Sequence, residues 1–170
     1  MPALILLLFF SLTSFAKQNW CEFDTTFAEK YLEARGKYAR HLNSGRALKD
    51  PSDYNYGKKR SIRFGENWPK LSVKETTRKF FGDAEIDYVL KENGKMIVYP
   101  KGMKTGDKII LMDPSGEYFR IVKGKVSSTG HVTQTKIFYD ASGKERNFHP
   151  GLSEAENNLN AEQTHFRALP

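Results

Sequence analysis

The side chains in this sequence best suited to chemistry are an arginine in an apolar run and a histidine close to the last residue. Arg120 lies between Phe119 and Ile121, and His165 follows Thr164. Metal-independent cleavage of RNA needs a base for the 2′-hydroxyl proton, an acid for the leaving oxygen and a cation for the charge that develops on phosphorus. Histidine titrates near neutral pH, and the planar guanidinium of arginine matches phosphate oxygens. The two residues therefore predict a ribonuclease site that works by 2′-hydroxyl attack.

Other residues could complete that site. The hydroxyl of Thr164 could orient the imidazole of His165 or contact phosphate. His131 lies in a turn of Ser, Thr and Gly residues and is the second candidate for proton transfer, ahead of His149. Alternation along a strand places Arg120 on the sheet face opposite its two apolar neighbours, where a substrate or water could meet it. Each residue also has a plain structural interpretation, as a packed histidine or a solvated charge.

A set of basic and aromatic side chains could hold the nucleic acid. Lysine and arginine bind phosphate, and an aromatic ring on a sheet can stack on an unpaired base. The candidates are Lys58, Lys59, Arg60, Tyr118, Lys123 and Lys125. Core packing is the alternative interpretation for the tyrosine, and a solvated surface is the alternative for the cations.

The sequence contains no motif for binding a metal or a cofactor. The four histidines are scattered, and one cysteine cannot form a thiolate site. No P-loop, dinucleotide fingerprint or Gly-x-Ser-x-Gly motif is present. We therefore expect no metal and no cofactor.

The charge of the chain is positive and unevenly distributed. Lysine and arginine number 27 against 20 acidic residues, and the segment 35–79 holds 13 basic and 4 acidic residues. Such a segment attracts polyphosphate, anionic lipid or an acidic protein.

The first residues predict export. Residues 1–16 form an apolar run that ends in Ser14-Phe15-Ala16, which is typical of a secretory signal peptide. The part from Ala3 to Leu12 is about half the ~20 residues that span a bilayer, so we expect no permanent membrane anchor and a secreted or periplasmic protein. A single cysteine excludes an intramolecular disulfide. We expect a monomer.

The rest of the chain predicts helices followed by a sheet. Aromatic residues at helical spacing indicate an amphipathic helix over 25–43, and 44–70 has no sustained period. Ser72 and Glu75 have the spacing of a capping box, which predicts a short helix that ends before Gly82.

From residue 86 the apolar period changes to two. Asn93-Gly94, 113–116 and 140–143 are hairpin turn signals between alternating segments, and the polar residues 150–163 are interpreted as a loop. The prediction is an α+β fold, N-terminal helices followed by an antiparallel sheet of four to six strands. It divides into a helix and basic loop region, 17–70, and an α+β domain, 71–170.

The order of these features from residue 71 resembles the C-terminal toxin modules of bacterial polymorphic and contact-dependent-inhibition systems, in the barnase/EndoU/colicin/RelE group of ribonucleases. The segments that carry the resemblance are 79–82, 108–110, 113–121, 138–144 and 164–166. The resemblance implies a helix-then-sheet fold, cleavage of RNA, often transfer RNA, and an acidic immunity protein that covers the basic cleft. It also implies that Arg120 and His165 carry the chemistry.

Three functions are compatible with these observations. The first is an exported, toxin-like, metal-independent endoribonuclease. The second is a noncatalytic exported binding module whose basic surface binds an acidic protein, an envelope polymer or nucleic acid. The third is another hydrolase whose residues meet only in the folded chain.

Overall fold

A computed structural model describes residues 18–43, 65–113, 117–146, 148 and 151–169. The predicted signal peptide, residues 1–16, lies outside the described residues, as do Lys58, Lys59, Arg60 and His149. No helix in the described ranges is long and apolar enough to cross a membrane.

The described ranges contain three α-helices, a short 3₁₀ turn at Gly65–Asn67 and eight strands, in an α+β arrangement. In chain order they are α1 (Trp20–Asn43), β1 (Lys70–Ser72), α2 (Val73–Phe81), β2 (Ile86–Leu90), β3 (Met96–Pro100), β4 (Lys108–Asp113), β5 (Tyr118–Val126), β6 (Val132–Tyr139), β7 (Glu145–Arg146), α3 (Glu154–Thr164) and β8 (Phe166–Leu169).

The strands form one curled sheet, in which six follow the order β1-β8-β5-β4-β3-β2. β6 pairs with β5 on the same edge as β8 but farther along the strand, and β7 pairs with β6. The prediction of an α+β fold is confirmed, but the sheet is mixed rather than antiparallel. β1 and β8 run parallel, with Lys70 opposite Arg167. The described strands exceed the predicted four to six because β1, β7 and β8 are too short to show an alternating pattern.

Both faces of the sheet are apolar. On one face, α1 and α2 cover the main core, which includes Met96, Ile110, Phe119 and Phe166. On the other face, a smaller cluster centres on Ile109 and on residues of β3, β5 and β6. A sheet buried on both faces cannot be recognised by alternation alone, since both sets of side chains are hydrophobic.

Helix α1 belongs to the same core as the sheet. Phe23 and Ala34 are both buried in it, and the helix contacts β2 and β3. Region 17–70 therefore supplies part of the core of the sheet domain. The helix begins at Trp20 rather than at residue 25, since Asn19 Oδ1 accepts a hydrogen bond from the backbone N–H of Glu22 at 3.3 Å.

A glycine turn joins α1 to the sheet. Gly94, between β2 and β3, has a φ of +80°. A Cβ at this position would lie 2.8 Å from the carbonyl oxygen of Ala34 and 2.4 Å from Cβ of Tyr38. The predicted hairpin turn is thus also the point where β2 and β3 contact the backbone of α1.

Helix α2 has the predicted cap. Ser72 Oγ accepts a hydrogen bond from the backbone N–H of Glu75 at 3.3 Å, and Gly82 follows the last turn with a φ of 60°.

The prediction of a loop over 150–163 is wrong, because α3 occupies most of it. Ser153 Oγ accepts from the backbone N–H of Glu156, and the Glu156 carboxylate accepts from the backbone N–H of Ser153 at 2.8 Å. This capping box starts a helix whose one large apolar residue, Leu159, is exposed, so no apolar stripe marks it. Thr164 consequently ends a helix, and His165 connects α3 to β8.

Candidate functional site

The structure brings together two of the predicted catalytic residues, Arg120 and Thr164. Arg120 projects from the sheet face opposite Phe119, and its Nη2 donates a hydrogen bond to Thr164 Oγ1 at 3.3 Å. Its guanidinium carbon lies 3.4 Å above the ring centre of Phe138. Thr164 is fully buried, and its hydroxyl donates to the carbonyl of Asn160 at 2.8 Å. The pair anchors α3 to β5.

His165 lies inside the protein, with 0% of its surface exposed. Its Nδ1 is 2.6 Å from the carbonyl oxygen of Ala161. A carbonyl can only accept, so Nδ1 carries the proton. The imidazole stacks on Trp68 at 4.8 Å between ring centres and an angle of 21°, and it lies 5.1 Å from the ring of Tyr118. An imidazole in this position fills a core and meets no solvent through which a phosphate could reach it.

The prediction that Tyr118 offers a stacking surface is wrong, since its ring is 5% exposed. It meets Trp68 edge-on at 4.9 Å, and its hydroxyl donates to Asp113 Oδ2 at 3.2 Å. Trp68 and the α3–β8 junction cover this end of β5, so a base cannot reach the tyrosine.

The other described residues of the predicted site, the catalytic candidate His131 and the binding candidates Lys123 and Lys125, lie toward the far end of β5. His131 is exposed in the turn after this strand, where Thr129 Oγ1 is 2.8 Å from its Nδ1. The strand from Arg120 to Val126 spans about 20 Å at the usual rise per residue. Lys123 and the exposed Lys125 lie in that far half. The described part of the predicted site is thus divided between two ends of the sheet.

A different group of cations does converge. Lys79, Lys108 and Lys123 are named here the lysine cluster. Lys79 and Lys108 lie where the end of α2 packs near β4 and the turn after β6, and Lys123 lies beside Lys108 on β5. Lys108 lies opposite Lys123 in the β4–β5 ladder, so both side chains leave the same sheet face. Lys79 Nζ donates to the carbonyl of Ala141 in the β6–β7 turn at 2.8 Å.

Two aromatic rings hold Lys79 and Lys108 of the lysine cluster in place. The ammonium group of Lys108 lies 4.6 Å from the ring centre of Tyr139 and 5.7 Å from that of Phe80, and Lys79 Nζ lies 5.4 Å from Phe80. Phe80 in turn packs against Gly143, where a Cβ would lie 2.9 Å from the ring. The ring faces attract the cations and limit their rotamers.

The lysine cluster is electrostatically uncompensated. None of the six ion pairs found among the described residues involves its members. Two acidic residues lie near the cluster: Glu145, opposite Tyr139 in the β6–β7 ladder, and Asp107, which precedes Lys108 in the chain. Burial, and then Glu145, raise the pKa of Tyr139, so its hydroxyl stays neutral at physiological pH. The net local charge is positive.

The turn that Lys79 contacts is organised by one carboxylate. Asp140 Oδ1 accepts from the backbone N–H groups of Ser142 and Lys144 at 2.9 and 3.0 Å, and Oδ2 accepts from the Arg146 guanidinium at 2.8 Å. Burial alone would raise the pKa of Asp140. The hydrogen bonds from Ser142, Arg146 and the two backbone N–H groups outweigh burial and lower the pKa to about 2.

We expect acid to destabilise this turn. The folded pKa of Asp140, about 2, is below its ordinary value of 3.8, so the carboxylate contributes fully above pH 4 and its contribution disappears as the pH falls through 2. The contribution is about 1–2 kcal/mol after allowance for solvent screening. Denaturation at pH 7 and pH 3 should show a smaller pH-dependent loss in Asp140→Asn than in the wild type. An equal loss in both proteins would contradict the assignment.

Among the described side chains, no three histidine, cysteine, aspartate or glutamate residues come close enough to hold a metal ion. No family model matches the chain, and neither a curated protein nor a solved structure is significantly similar to it.

Proposed function

We propose that this protein is a noncatalytic exported binding module that holds a phosphate-rich polymer, RNA foremost, on the lysine cluster. The observation that carries the proposal is that Lys79 and Lys108 lie on the rings of Phe80 and Tyr139, with Lys123 opposite Lys108 in the ladder. Among the described residues, none of the three lysines is in an ion pair. Lysine ammonium groups act as compact point charges toward phosphate. An array of them provides affinity with little sequence preference.

A phosphate polymer fits the cluster better than an acidic protein does. A protein interface has an apolar centre that excludes water. The large hydrophobic side chains exposed in the described ranges are Leu32 and Leu159, which lie on α1 and α3. Neither helix contributes to the cluster, so the surface offers charge without an apolar centre.

Cleavage is not part of the proposal. The ribonuclease hypothesis needs His165 and Arg120 to face one phosphate. The imidazole is enclosed by Trp68 and Tyr118, and the guanidinium lies on Phe138 beside Thr164. RNA remains the expected partner, and its turnover becomes an outcome of the test.

The test is a triple variant, Lys79→Gln, Lys108→Gln and Lys123→Gln. We expect affinity for an unstructured RNA at low salt to fall tenfold or more. We also expect the slope of log affinity against log salt to decrease by about 2, because each single-strand phosphate contact contributes about 0.7. Filter binding over a salt series measures both quantities.

A matched triple variant separates the cluster from net charge. Lys30, Lys37 and Lys101 are surface lysines that each contact a glutamate, and replacing them with glutamine removes the same charge. We expect this control to bind nearly as the wild type does. Equal losses in both triple variants would contradict the proposal. So would RNA cleaved in EDTA to 2′,3′-cyclic phosphate ends.

A further inference from the structure

A cleft of about 650 Å³ lies between α1 and the edge formed by α2, β4 and β8. The cleft and the lysine cluster lie at opposite ends of α2, because Val73, the first residue of the helix, lines the cleft. Met112 and Ala168 form its floor. The volume is in the range of small-molecule sites.

One wall of the cleft is an aromatic ladder. Phe23, Phe27 and Tyr31 recur every four residues and stack along α1. Their ring centres are 5.7 and 6.0 Å apart, with angles of 14° and 15° between the planes. The stacked rings form a continuous apolar wall, against which the ring of an aromatic ligand can pack.

The rim carries charge at both ends. Lys74 and Asp24 pair across one end. Arg35 and Glu117 line the cleft toward the other end, and among the described residues neither forms an ion pair. Burial, and then Glu117, raise the pKa of Tyr31, whereas Arg35 lowers it. Both charges thus act on the same hydroxyl.

Glu117 adopts a backbone conformation that its side chain disfavours. Its φ is 54°, and among the described residues it is the one non-glycine residue with a positive φ. Residues held in this region often belong to binding sites, because the surrounding structure must maintain them. The conformation directs a carboxylate to the rim of the cleft.

We propose that the cleft binds a small zwitterion with an aromatic body, the chemistry of an aromatic amino acid. The ring lies along the ladder, the ammonium group pairs with Glu117, and the carboxylate pairs with Arg35. A ligand with a single charge would leave either Glu117 or Arg35 without a partner of opposite charge. The site is separate from the lysine cluster and does not depend on the proposed RNA binding.

Three probes test the two charge contacts: L-tryptophan, tryptamine with the ammonium group alone, and indole-3-propionate with the carboxylate alone. Calorimetric titration should show tryptophan binding roughly fivefold tighter than either analogue, the scale of one exposed charge pair. Glu117→Gln should weaken tryptophan and tryptamine and leave indole-3-propionate unchanged. Arg35→Gln should weaken tryptophan and indole-3-propionate and leave tryptamine unchanged.

Two further variants keep the test independent of folding. Phe27→Ala should weaken all three probes, whereas Leu32→Ala, exposed on the same helix, should weaken none. Glu117→Gly should raise the unfolding midpoint, because glycine adopts a positive φ readily, and should still lose the ammonium contact. The proposal is overturned if no probe binds at millimolar concentration, or if Glu117→Gln weakens all three probes equally.

Discussion

Gly94→Ala should lower the free energy of unfolding by about 3–4 kcal/mol, enough to unfold a substantial fraction of a marginal domain. The φ of +80° disfavours any side chain at this position. In addition, a Cβ would meet the carbonyl oxygen of Ala34 and the Cα of Tyr38, both at 2.8 Å. These are backbone atoms or atoms next to the backbone, so a rotamer change cannot relieve the contact. Urea denaturation measures the loss.

Gly102→Ala separates the two causes. Gly102 has a φ of +73°, and nothing lies within 4 Å of the Cβ that alanine would add. We expect this control to lose about 1 kcal/mol, from the backbone conformation alone. The difference between the variants is the free-energy cost of the steric contact between the added Cβ and α1. Equal losses of stability in Gly94→Ala and Gly102→Ala would show that the turn makes no close contact with α1.

His165→Ala should destabilise the protein by about 3 kcal/mol, since it leaves a cavity between Trp68 and Tyr118 and removes the bond to Ala161. A catalytic histidine would behave differently, losing activity while the melting temperature changes little. Thermal and urea denaturation therefore distinguish the two roles. His131→Ala, in an exposed turn, is the control and should stay within about 0.5 kcal/mol of the wild type. A stable His165→Ala protein would contradict the structural role.

Local signals in the sequence predict the local structure well. The cap of α2 depends on Ser72 and Glu75, which are three residues apart, and the β2–β3 turn depends on the adjacent Asn93 and Gly94. α3 has the same signal in Ser153 and Glu156, and the spacing of that pair predicts the start of the helix. Its polar composition favoured the interpretation as a loop, because the helix buries no apolar stripe.

The burial of His165 and Tyr118 could not be predicted from their neighbours in sequence. Both contact Trp68, which lies in a segment without periodicity, and that contact exists only once β8 has entered the sheet between β1 and β5. Alternation along β5 correctly places Arg120 and Phe119 on opposite faces of the sheet. It does not show that both of these faces are covered.

The sequence alone predicts the position of two of the three residues in the lysine cluster. The predicted pairing of the segments on either side of residues 113–116 is confirmed, and the β4–β5 register places Lys108 opposite Lys123. Lys79 joins them only because the end of α2 packs on the β6–β7 turn, where Gly143 admits the ring of Phe80. No spacing along the chain encodes that contact.

The position of β8 should also set how fast the chain folds. This strand pairs with β1 through Lys70 and Arg167 and with β5 through Phe119 and Phe166, so the interior of the sheet closes only when segments remote in sequence meet. Contacts of this kind are reached after a large loss of chain entropy, which slows folding relative to a protein built from neighbouring hairpins. We expect refolding in milliseconds to seconds, with the β2–β3–β4 meander protected from hydrogen exchange before the β1–β8 pair.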